Sequence, residues 1–324
     1  MMKAPSFWFR KAGLLAWILS PLAWIYTFIH KVRWKISRST VSLLPILCVG
    51  NTGIGGAGKT PTALALGKIF KELSIPFSYL TRGYGGKSLG PLFVNPTTYL
   101  YEEVGDEPLL LARLAPTMMA KNRNQGLRKI EETKSQLIIM DDGYQNPTLQ
   151  KTTHLLVIDG SQGFGNGHVF PAGPLREPLA MSMMRASAVI MLGLPSPHVS
   201  YVLKTLDCPI FYGRLVLKLP KNLSPSLYAF AGIASPEKFF SSLSTAGFPP
   251  IKTWAFPDHH PYKEKEIQSL IQEAQKAGAT LVTTEKDFVR LSRSQRSHIL
   301  PLPVQIEWEN EQTLKEFLKT CVIL

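Results

Sequence analysis

Residues 53–60 read Gly-Ile-Gly-Gly-Ala-Gly-Lys-Thr, a spacing that matches the phosphate-binding P-loop, G-x-x-x-x-G-K-S/T. Glycines adopt backbone angles closed to other residues, so successive N–H groups of such a loop turn toward phosphate oxygens. Lys59 is predicted to reach the β- and γ-phosphates, and the Thr60 hydroxyl is predicted to coordinate Mg²⁺. The motif therefore predicts a protein that binds a nucleoside triphosphate, through Gly53, Gly55, Gly56, Ala57, Gly58, Lys59 and Thr60.

Two adjacent carboxylates follow the apolar run 137–140. The run predicts a strand, and open α/β folds place their ligands at the carboxyl ends of such strands. Asp141 is expected to hold the Mg²⁺ shell beside Thr60, as the Walker B carboxylate does in P-loop proteins. Asp142 is expected to contact the metal through water or to orient other groups, and we count it with Lys59 among the catalytic candidates.

Strands and helices alternate along the chain, as a parallel sheet requires. The apolar run 43–49 predicts a buried strand before the P-loop, and residues 62–70 predict a helix whose N-terminus faces the phosphates. Further strands are predicted at 76–81, 137–142, 155–159, 188–192 and 210–219. The fold class predicted is α/β, with a P-loop NTPase-type parallel sheet and helices on both of its faces.

The chain of 324 residues is longer than a single hydrophobic core usually supports, which suggests two domains. We predict an N-terminal helical segment at 1–40, the P-loop domain at 41–219, a proline-bounded linker at 220–226, and a smaller α/β domain at 227–324. In the last of these we expect strands at 227–232 and 280–284 and helices at 236–246 and 262–277.

Positive charge is concentrated near the N-terminus. The net charge is +13, and no Asp or Glu precedes Glu72. Basic proteins often bind nucleic acid, but here the charges bracket an uncharged apolar segment at 12–29 that contains Trp17, Trp24, Tyr26 and Phe28. A cleaved signal peptide, a full transmembrane span and an ordinary core helix are alternatives. We favour a monotopic helix or helical hairpin that is partly inserted in a membrane, and no nucleic-acid partner.

Cysteine and histidine give no metal-site pattern. Cys48, Cys208 and Cys321 are odd in number and far apart, which suggests a reducing compartment. The adjacent pair His259-His260 has no Cys or second His cluster nearby, and neighbouring side chains diverge, so we expect no zinc site.

Several polar motifs remain that a hydrophobic core does not explain. They are Gly105-Asp106-Glu107-Pro108, Asp141-Asp142-Gly143-Tyr144-Gln145, Pro171-Ala172-Gly173-Pro174-Leu175-Arg176-Glu177-Pro178 and Phe256-Pro257-Asp258-His259-His260. In this order, and over nearly the whole chain, they resemble the tetraacyldisaccharide 4′-kinases of lipid A biosynthesis. Two positions depart from that pattern: Asn146 stands where the family often has His, and Thr81 where it often has Ser.

The resemblance implies a membrane-associated P-loop kinase that uses ATP and Mg²⁺. Its acceptor would be the 4′-hydroxyl of an acylated glucosamine disaccharide 1-phosphate, reached at the cytoplasmic face of the bacterial inner membrane by a peripheral or monotopic enzyme. Arg82, Arg123 and Arg176 are candidates for holding phosphates by bidentate contacts.

The resemblance also implies a catalytic dyad. Asp106 would accept the proton of the sugar hydroxyl, and His259 would tune or relay that proton. Glu107 would complete the Mg²⁺ shell. Because His259 lies on the second predicted domain, the dyad would form only when the two domains close.

Two other classes of function stay open on the sequence. One is a membrane-associated P-loop ATPase that acts as a conformational switch, although no guanine-specificity motif is present and the second-domain loops look suited to a substrate. The other is a non-catalytic membrane-binding module, in which Lys59, Thr60 and Asp141 would be idle.

Overall fold

The computed structural model describes residues 5–322, which contain thirteen strands and twelve α-helices. The strands are β1 Ile46–Gly50, β2 Phe77–Thr81, β3 Leu92–Phe93, β4 Thr117–Met119, β5 Leu137–Asp141, β6 Thr153–Asp159, β7 Ala188–Leu192, β8 Ile210–Leu217, β9 Leu227–Ala231, β10 Lys252–Ala255, β11 Thr280–Thr284, β12 Leu300–Leu302 and β13 Val304–Trp308. The helices are α1 Leu14–Ile36, α2 Lys59–Glu72, α3 Tyr101–Val104, α4 Asp106–Ala112, α5 Arg123–Glu131, α6 Leu179–Arg185, α7 Pro197–Leu203, α8 Pro236–Thr245, α9 Glu264–Lys276, α10 Glu285–Phe288, α11 Arg293–Arg296 and α12 Glu311–Thr320.

The larger sheet has nine strands in the order β13-β8-β7-β6-β1-β5-β2-β4-β3. Its strands are parallel except β13 and β3, which pair antiparallel at the two edges. Helices α2 and α12 pack on one face and α5, α6 and α7 on the other, so the central strands are buried on both sides. This arrangement confirms the predicted α/β fold with a parallel sheet covered on both faces. Strand β1 lies in the middle, which brings the loop after it to the centre of the carboxyl edge.

The smaller sheet has four parallel strands in the order β10-β9-β11-β12. Helix α8 packs its phenylalanines on one face, and the apolar side of α9 covers the other. A smaller second α/β unit therefore exists, as predicted.

The C-terminal boundary of that second unit differs from the prediction of 227–324. After β12 the chain returns to the larger sheet, where β13 pairs with β8 and Leu314 and Leu318 of α12 enter the first core. The smaller unit therefore comprises residues 227–302. The prediction failed here because a local amphipathic pattern does not reveal which of two sheets a strand or helix will join.

Helix α1 is one continuous helix that includes Pro21. Ala16, Ser20, Ala23 and His30 form its buried side. Its other sides expose large apolar residues: Leu14, Leu15, Trp17, Ile18, Leu22, Trp24, Ile25, Phe28, Ile29 and Ile36. Within residues 5–322, α1 alone is long and apolar enough to cross a membrane. These exposures rule out an ordinary core helix in this structure, and the helix does not fold back as a hairpin.

Candidate active site

The P-loop connects β1 to α2 at the centre of the larger sheet. Gly58 is the N-cap of α2 and has φ +83°, a left-handed conformation that disfavours side chains. A Cβ at this position would lie 2.4 Å from the Cδ1 atom of Leu192. Lys59 and Thr60 form the first turn of α2, where unpaired N–H groups and the helix dipole attract anions. The predicted nucleotide-binding residues thus lie together where a phosphate chain can be bound.

The Pro-Ala-Gly-Pro-Leu-Arg-Glu-Pro segment supports the P-loop from one side. The Ile54 N–H donates to the Pro174 carbonyl at 2.7 Å, and the Arg176 N–H donates to the Thr52 carbonyl at 2.8 Å. Gly53 also forms a β-bridge with Leu175. The segment therefore fixes the start of the P-loop and places Arg176 beside it.

Asp141 lies at the end of β5, next to the first turn of α2. The Thr60 hydroxyl donates to its Oδ2 at 3.1 Å, while the buried Oδ1 has no hydrogen-bond partner among the described residues. Burial raises the pKa of Asp141 well above its usual range, and the Glu107 and Asp142 carboxylates raise it further. A hydroxyl beside several carboxylates that repel one another is an oxygen donor set suited to a hard cation. Thr60 and Asp141 therefore have the chemistry to hold Mg²⁺, and Glu107, whose charge acts on Asp141, is a candidate for a further ligand.

Asp142 lies between two cationic side chains. Its Oδ1 is 2.8 Å from Nη1 of Arg176 and 3.7 Å from Nζ of Lys59. Burial alone would raise the pKa of Asp142, but the charges of Lys59 and Arg176 hold it below its usual range. Such a carboxylate is a poor proton acceptor, and the contacts favour the orienting role expected as one alternative from the sequence.

The three candidate arginines differ in exposure and in their contacts. Arg123 is 4% exposed and donates to the backbone carbonyls of Ala120 and Asp142 at 3.3 and 3.5 Å. Burial lowers the pKa of Arg123 to about 10, and the charge of Arg82 also lowers it. Arg82 itself is exposed at the end of β2. Arg82 and Arg176 are thus open to a ligand, whereas Arg123 is buried.

The predicted dyad forms across the two α/β units. Asp106 Oδ2 lies 2.9 Å from Nδ1 of His259, accepts a hydrogen bond from Nε of Arg290 at 2.9 Å and forms an ion pair with Nη2 of Arg290 at 2.7 Å. Asp106 is 2% exposed. Burial alone would raise the pKa of Asp106, but Lys286, the hydrogen bond from His259 and Arg290 hold it below the usual range. Asp106 is therefore an ionised, buried partner of the imidazole.

Lys286 is a site residue that the sequence reasoning did not identify. Its Nζ lies 3.2 Å from Oε1 of Glu107 and 3.3 Å from Nε2 of His259. An ammonium group only donates, so Nε2 accepts and the hydrogen of His259 lies on Nδ1, facing Asp106. The signal was available: Lys286 is the second residue after β11, at the carboxyl edge of the sheet where ligands bind.

Known proteins resemble this chain over nearly its whole length. The model of the family described as tetraacyldisaccharide-1-P 4′-kinase matches residues 15–322. The chain belongs to this family. It is 41% identical over 321 residues to the tetraacyldisaccharide 4′-kinase of Methylorubrum extorquens, covering 98% of each chain. The enzyme of the same name from Rhodospirillum centenum is 41% identical over 325 residues, covering 98% of this chain and 96% of the relative.

A solved structure gives the same fold. The crystal structure of LpxK from Aquifex aeolicus in complex with ATP superposes with a TM-score of 0.76 at 24% identity, covering 96% of this chain and 100% of that one. Membership of the tetraacyldisaccharide-1-P 4′-kinase family confirms the resemblance inferred from the motifs. It also confirms the prediction of an ATP-dependent kinase of lipid A biosynthesis and does not favour a switch ATPase.

Proposed function

We propose that this protein transfers the γ-phosphate of ATP to the 4′-hydroxyl of an acylated glucosamine disaccharide 1-phosphate. The observation that carries the proposal is that the nucleotide-binding residues and the catalytic pair lie near each other. Glu107, beside the Asp106–His259 pair, lies close enough to Asp141 for its charge to raise the pKa of that carboxyl group. This supports a common cleft for the P-loop and the dyad at the junction of the two units.

Phosphoryl transfer depends mainly on positioning and on the stabilisation of negative charge. Lys59 and the N-terminal turn of α2 bind the β- and γ-phosphates, and Asp142 orients Lys59 and Arg176 toward the same place. Thr60, Asp141 and Glu107 are the residues that would hold Mg²⁺, which would neutralise negative charge on the phosphates. Side chains of the protein itself carry out the remaining steps.

The Asp106–His259 pair accepts the proton of the acceptor hydroxyl. As the hydroxyl oxygen forms its bond to the γ-phosphorus, the bond from that phosphorus to the β,γ-bridging oxygen breaks and ADP leaves. The side chain of His259 is 20% exposed and that of Asp106 is 2% exposed, so the hydroxyl meets the imidazole first. This favours the relaying role of His259 over a purely tuning one. Lys286 must then leave Nε2 to make room for the hydroxyl.

The acceptor lipid is anionic, and two features suit it. Arg176 presents a partly exposed guanidinium group beside the P-loop, and Arg82 is exposed at the end of β2. The exposed apolar sides of α1 would insert into the membrane boundary, with Lys31, Arg33 and Lys35 at its C-terminal end near lipid phosphates. The enzyme would lie on the cytoplasmic face of the inner membrane as a peripheral or monotopic protein, because basic residues flank both ends of the segment.

A balance of products tests this function. Purified protein in detergent micelles is given Mg²⁺-ATP with and without the lipid disaccharide 1-phosphate, and ADP, inorganic phosphate and phosphorylated lipid are measured. A kinase gives one phosphorylated lipid for each ADP and little ADP without the acceptor. Lys59→Ala is the control and should lower turnover by about 10³-fold, since it removes a cation that stabilises the transferred group. If inorganic phosphate were released at the same rate with and without the acceptor, the result would instead indicate a switch ATPase.

A further inference from the structure

Glu177 is a fully buried carboxylate that the proposed mechanism does not use. Its Oε1 accepts hydrogen bonds from Nε2 of Gln145 at 3.0 Å, from Oγ of Ser182 at 2.8 Å and from Nη2 of Arg185 at 2.6 Å. Its Oε2 lies 3.2 Å from Nε2 of His30. Burial alone would raise the pKa of Glu177, but the hydrogen bonds from His30 and Arg185 lower it to about 2. Glu177 is therefore ionised, and His30 donates to it.

His30 ties α1 to this carboxylate from the buried side of the helix. It is 8% exposed, while its helical neighbours Phe28 and Ile29 are more than 60% exposed. The indole of Trp34, one turn further along α1, lies over the guanidinium of Arg185 at 4.5 Å, which adds a cation–π contact to the same group. Helix α1 thus has a docking side that is separate from its apolar sides.

The other partners of Glu177 lead to the nucleotide site. Nε2 of Gln145 also donates to the carbonyl of Asn51, two residues before the first P-loop glycine, at 2.9 Å. Arg176, the neighbour of Glu177 in the chain, donates its N–H to Thr52 and its guanidinium to Asp142. A shift of Glu177 would therefore move the start of the P-loop and the side chain that orients Asp142.

We propose that Glu177 is a positioning residue through which the docked helix α1, held by His30, fixes the start of the P-loop for ATP binding. An unpaired buried acceptor is costly, so loss of the His30 hydrogen bond makes Glu177 reorganise with its remaining partners. The helix that carries the exposed apolar surface would then also set the affinity for nucleotide. The proposal rests on the proposed kinase function only in taking ATP as the nucleotide.

The first test measures binding of a nonhydrolysable ATP analogue with Mg²⁺ to the full-length protein in detergent micelles. His30→Ala should weaken this binding by about tenfold, as expected for one lost hydrogen bond to a buried charge. His30→Gln should recover much of the loss, because its amide can donate to Glu177. Ser20→Ala is the matched control on the same buried side, where the hydroxyl bonds only within the helix to Ala16. Vesicle binding should be unchanged in all three variants.

A double-mutant comparison separates positioning from general destabilisation. His30→Ala and Gln145→Ala should be strongly non-additive in analogue affinity, because both act through Glu177. Additive losses, or an affinity of His30→Ala equal to that of Ser20→Ala, would overturn the proposal, even if His30→Ala melted at a lower temperature. Wild-type protein that failed to bind the analogue would refute the proposed function itself, which keeps the two failures apart.

Discussion

Four buried or half-buried acidic side chains in this protein have different tasks because they have different neighbours. Asp141 has a carboxylate oxygen without a partner and acidic neighbours, so it suits a cation. Asp142 and Asp106 are each surrounded by cationic groups and stay ionised. Glu177 lies away from the cleft and joins elements through hydrogen bonds. Residue type alone does not distinguish them, and surroundings decide each role.

The dyad leads to a prediction on turnover. Asp106→Asn and His259→Gln should each lower kcat by about 10²- to 10⁴-fold with little change in ATP affinity, because each removes part of the proton acceptor. The double variant should be little worse than the poorer single variant, since residues that act as a unit are not additive. Steady-state kinetics with the lipid acceptor provide the measurement.

The adjacent His260 offers a matched control for that experiment. Its Nε2 lies 3.1 Å from Glu266, and its ring stacks on Phe256, away from Asp106. His260→Ala should retain most of the wild-type kcat. If His259→Gln kept nearly full activity while Asp106→Asn lost it, His259 would only tune the pair and Asp106 alone would accept the proton. Fully multiplicative losses in the double variant would contradict the dyad.

Glu177 also predicts a dependence of stability on pH. Its pKa is about 2 in the folded protein against an ordinary value of 4.5. A lowered folded-state pKa contributes stability that is fully present above pH 4.5 and is lost as the pH falls toward 2. Glu177→Gln should therefore destabilise the protein at pH 7 by an amount on the order of 3 kcal/mol.

Urea denaturation of wild-type and Glu177→Gln protein at pH 7 and at pH 3 tests this sign. The difference in the free energy of unfolding between the two proteins should be smaller at pH 3. A difference that stayed constant or grew toward acidic pH would mean that Glu177 is not ionised in the folded state.

At the scale of elements, helix α1 has two chemically different sides. Its docking side contains His30, and its other sides expose Trp24 and Phe28, which are 71% and 67% exposed. Replacing both aromatic residues with serine should lower partition into anionic lipid vesicles by about tenfold for each residue, because each loses apolar burial in the membrane boundary. The KM for the lipid acceptor should rise more than the KM for ATP, the reverse of the effect expected for His30→Ala.

Leu194 supplies the control for this change. It is 90% exposed on the loop after β7 and is not part of α1, so Leu194→Ser alters an exposed apolar side chain outside the helix proposed to bind the membrane. Vesicle co-sedimentation and acceptor kinetics are compared for the two variants. If the Trp24 and Phe28 variant still sedimented like wild type, the exposed sides of α1 would not be the membrane-binding surface.

The elements also show what a sequence can predict. Strand β7 was predicted with both of its ends correct, because buried parallel strands are continuous apolar runs bounded by turn residues. The P-loop helix was predicted to within a few residues. The return of β13 and α12 to the larger sheet was not predictable in this way. Glu177, Lys286 and Arg290 were also missed as partners, because their contacts lie far away in sequence and local spacing carries no record of them.

At the scale of the whole molecule, ion pairs that differ in burial join the smaller unit to the larger one. Arg290 reaches from the smaller unit to Asp106 and also binds Asp287, and its side chain is 1% exposed. Lys238 pairs with Asp159 across the same junction, but its side chain is 46% exposed. Breaking a buried ion pair costs about 3–5 kcal/mol, whereas an exposed pair contributes roughly 0–1 kcal/mol. Arg290 should therefore dominate closure.

Arg290→Ala should release the smaller unit, and Lys238→Ala should leave it in place. Hydrogen–deuterium exchange is expected to speed up at residues 256–262 and in α4 in the first variant only, because Asp106 and Asp287 lose their common partner. Activity should fall together with this protection, since the dyad forms only when the units meet. Arg290→Lys keeps the charge but not the guanidinium that pairs with both Asp106 and Asp287, and should lie between wild type and Arg290→Ala. Equal exchange in the Arg290→Ala and Lys238→Ala variants would show that the apolar contact of Val289 with α4, rather than this ion pair, holds the units together.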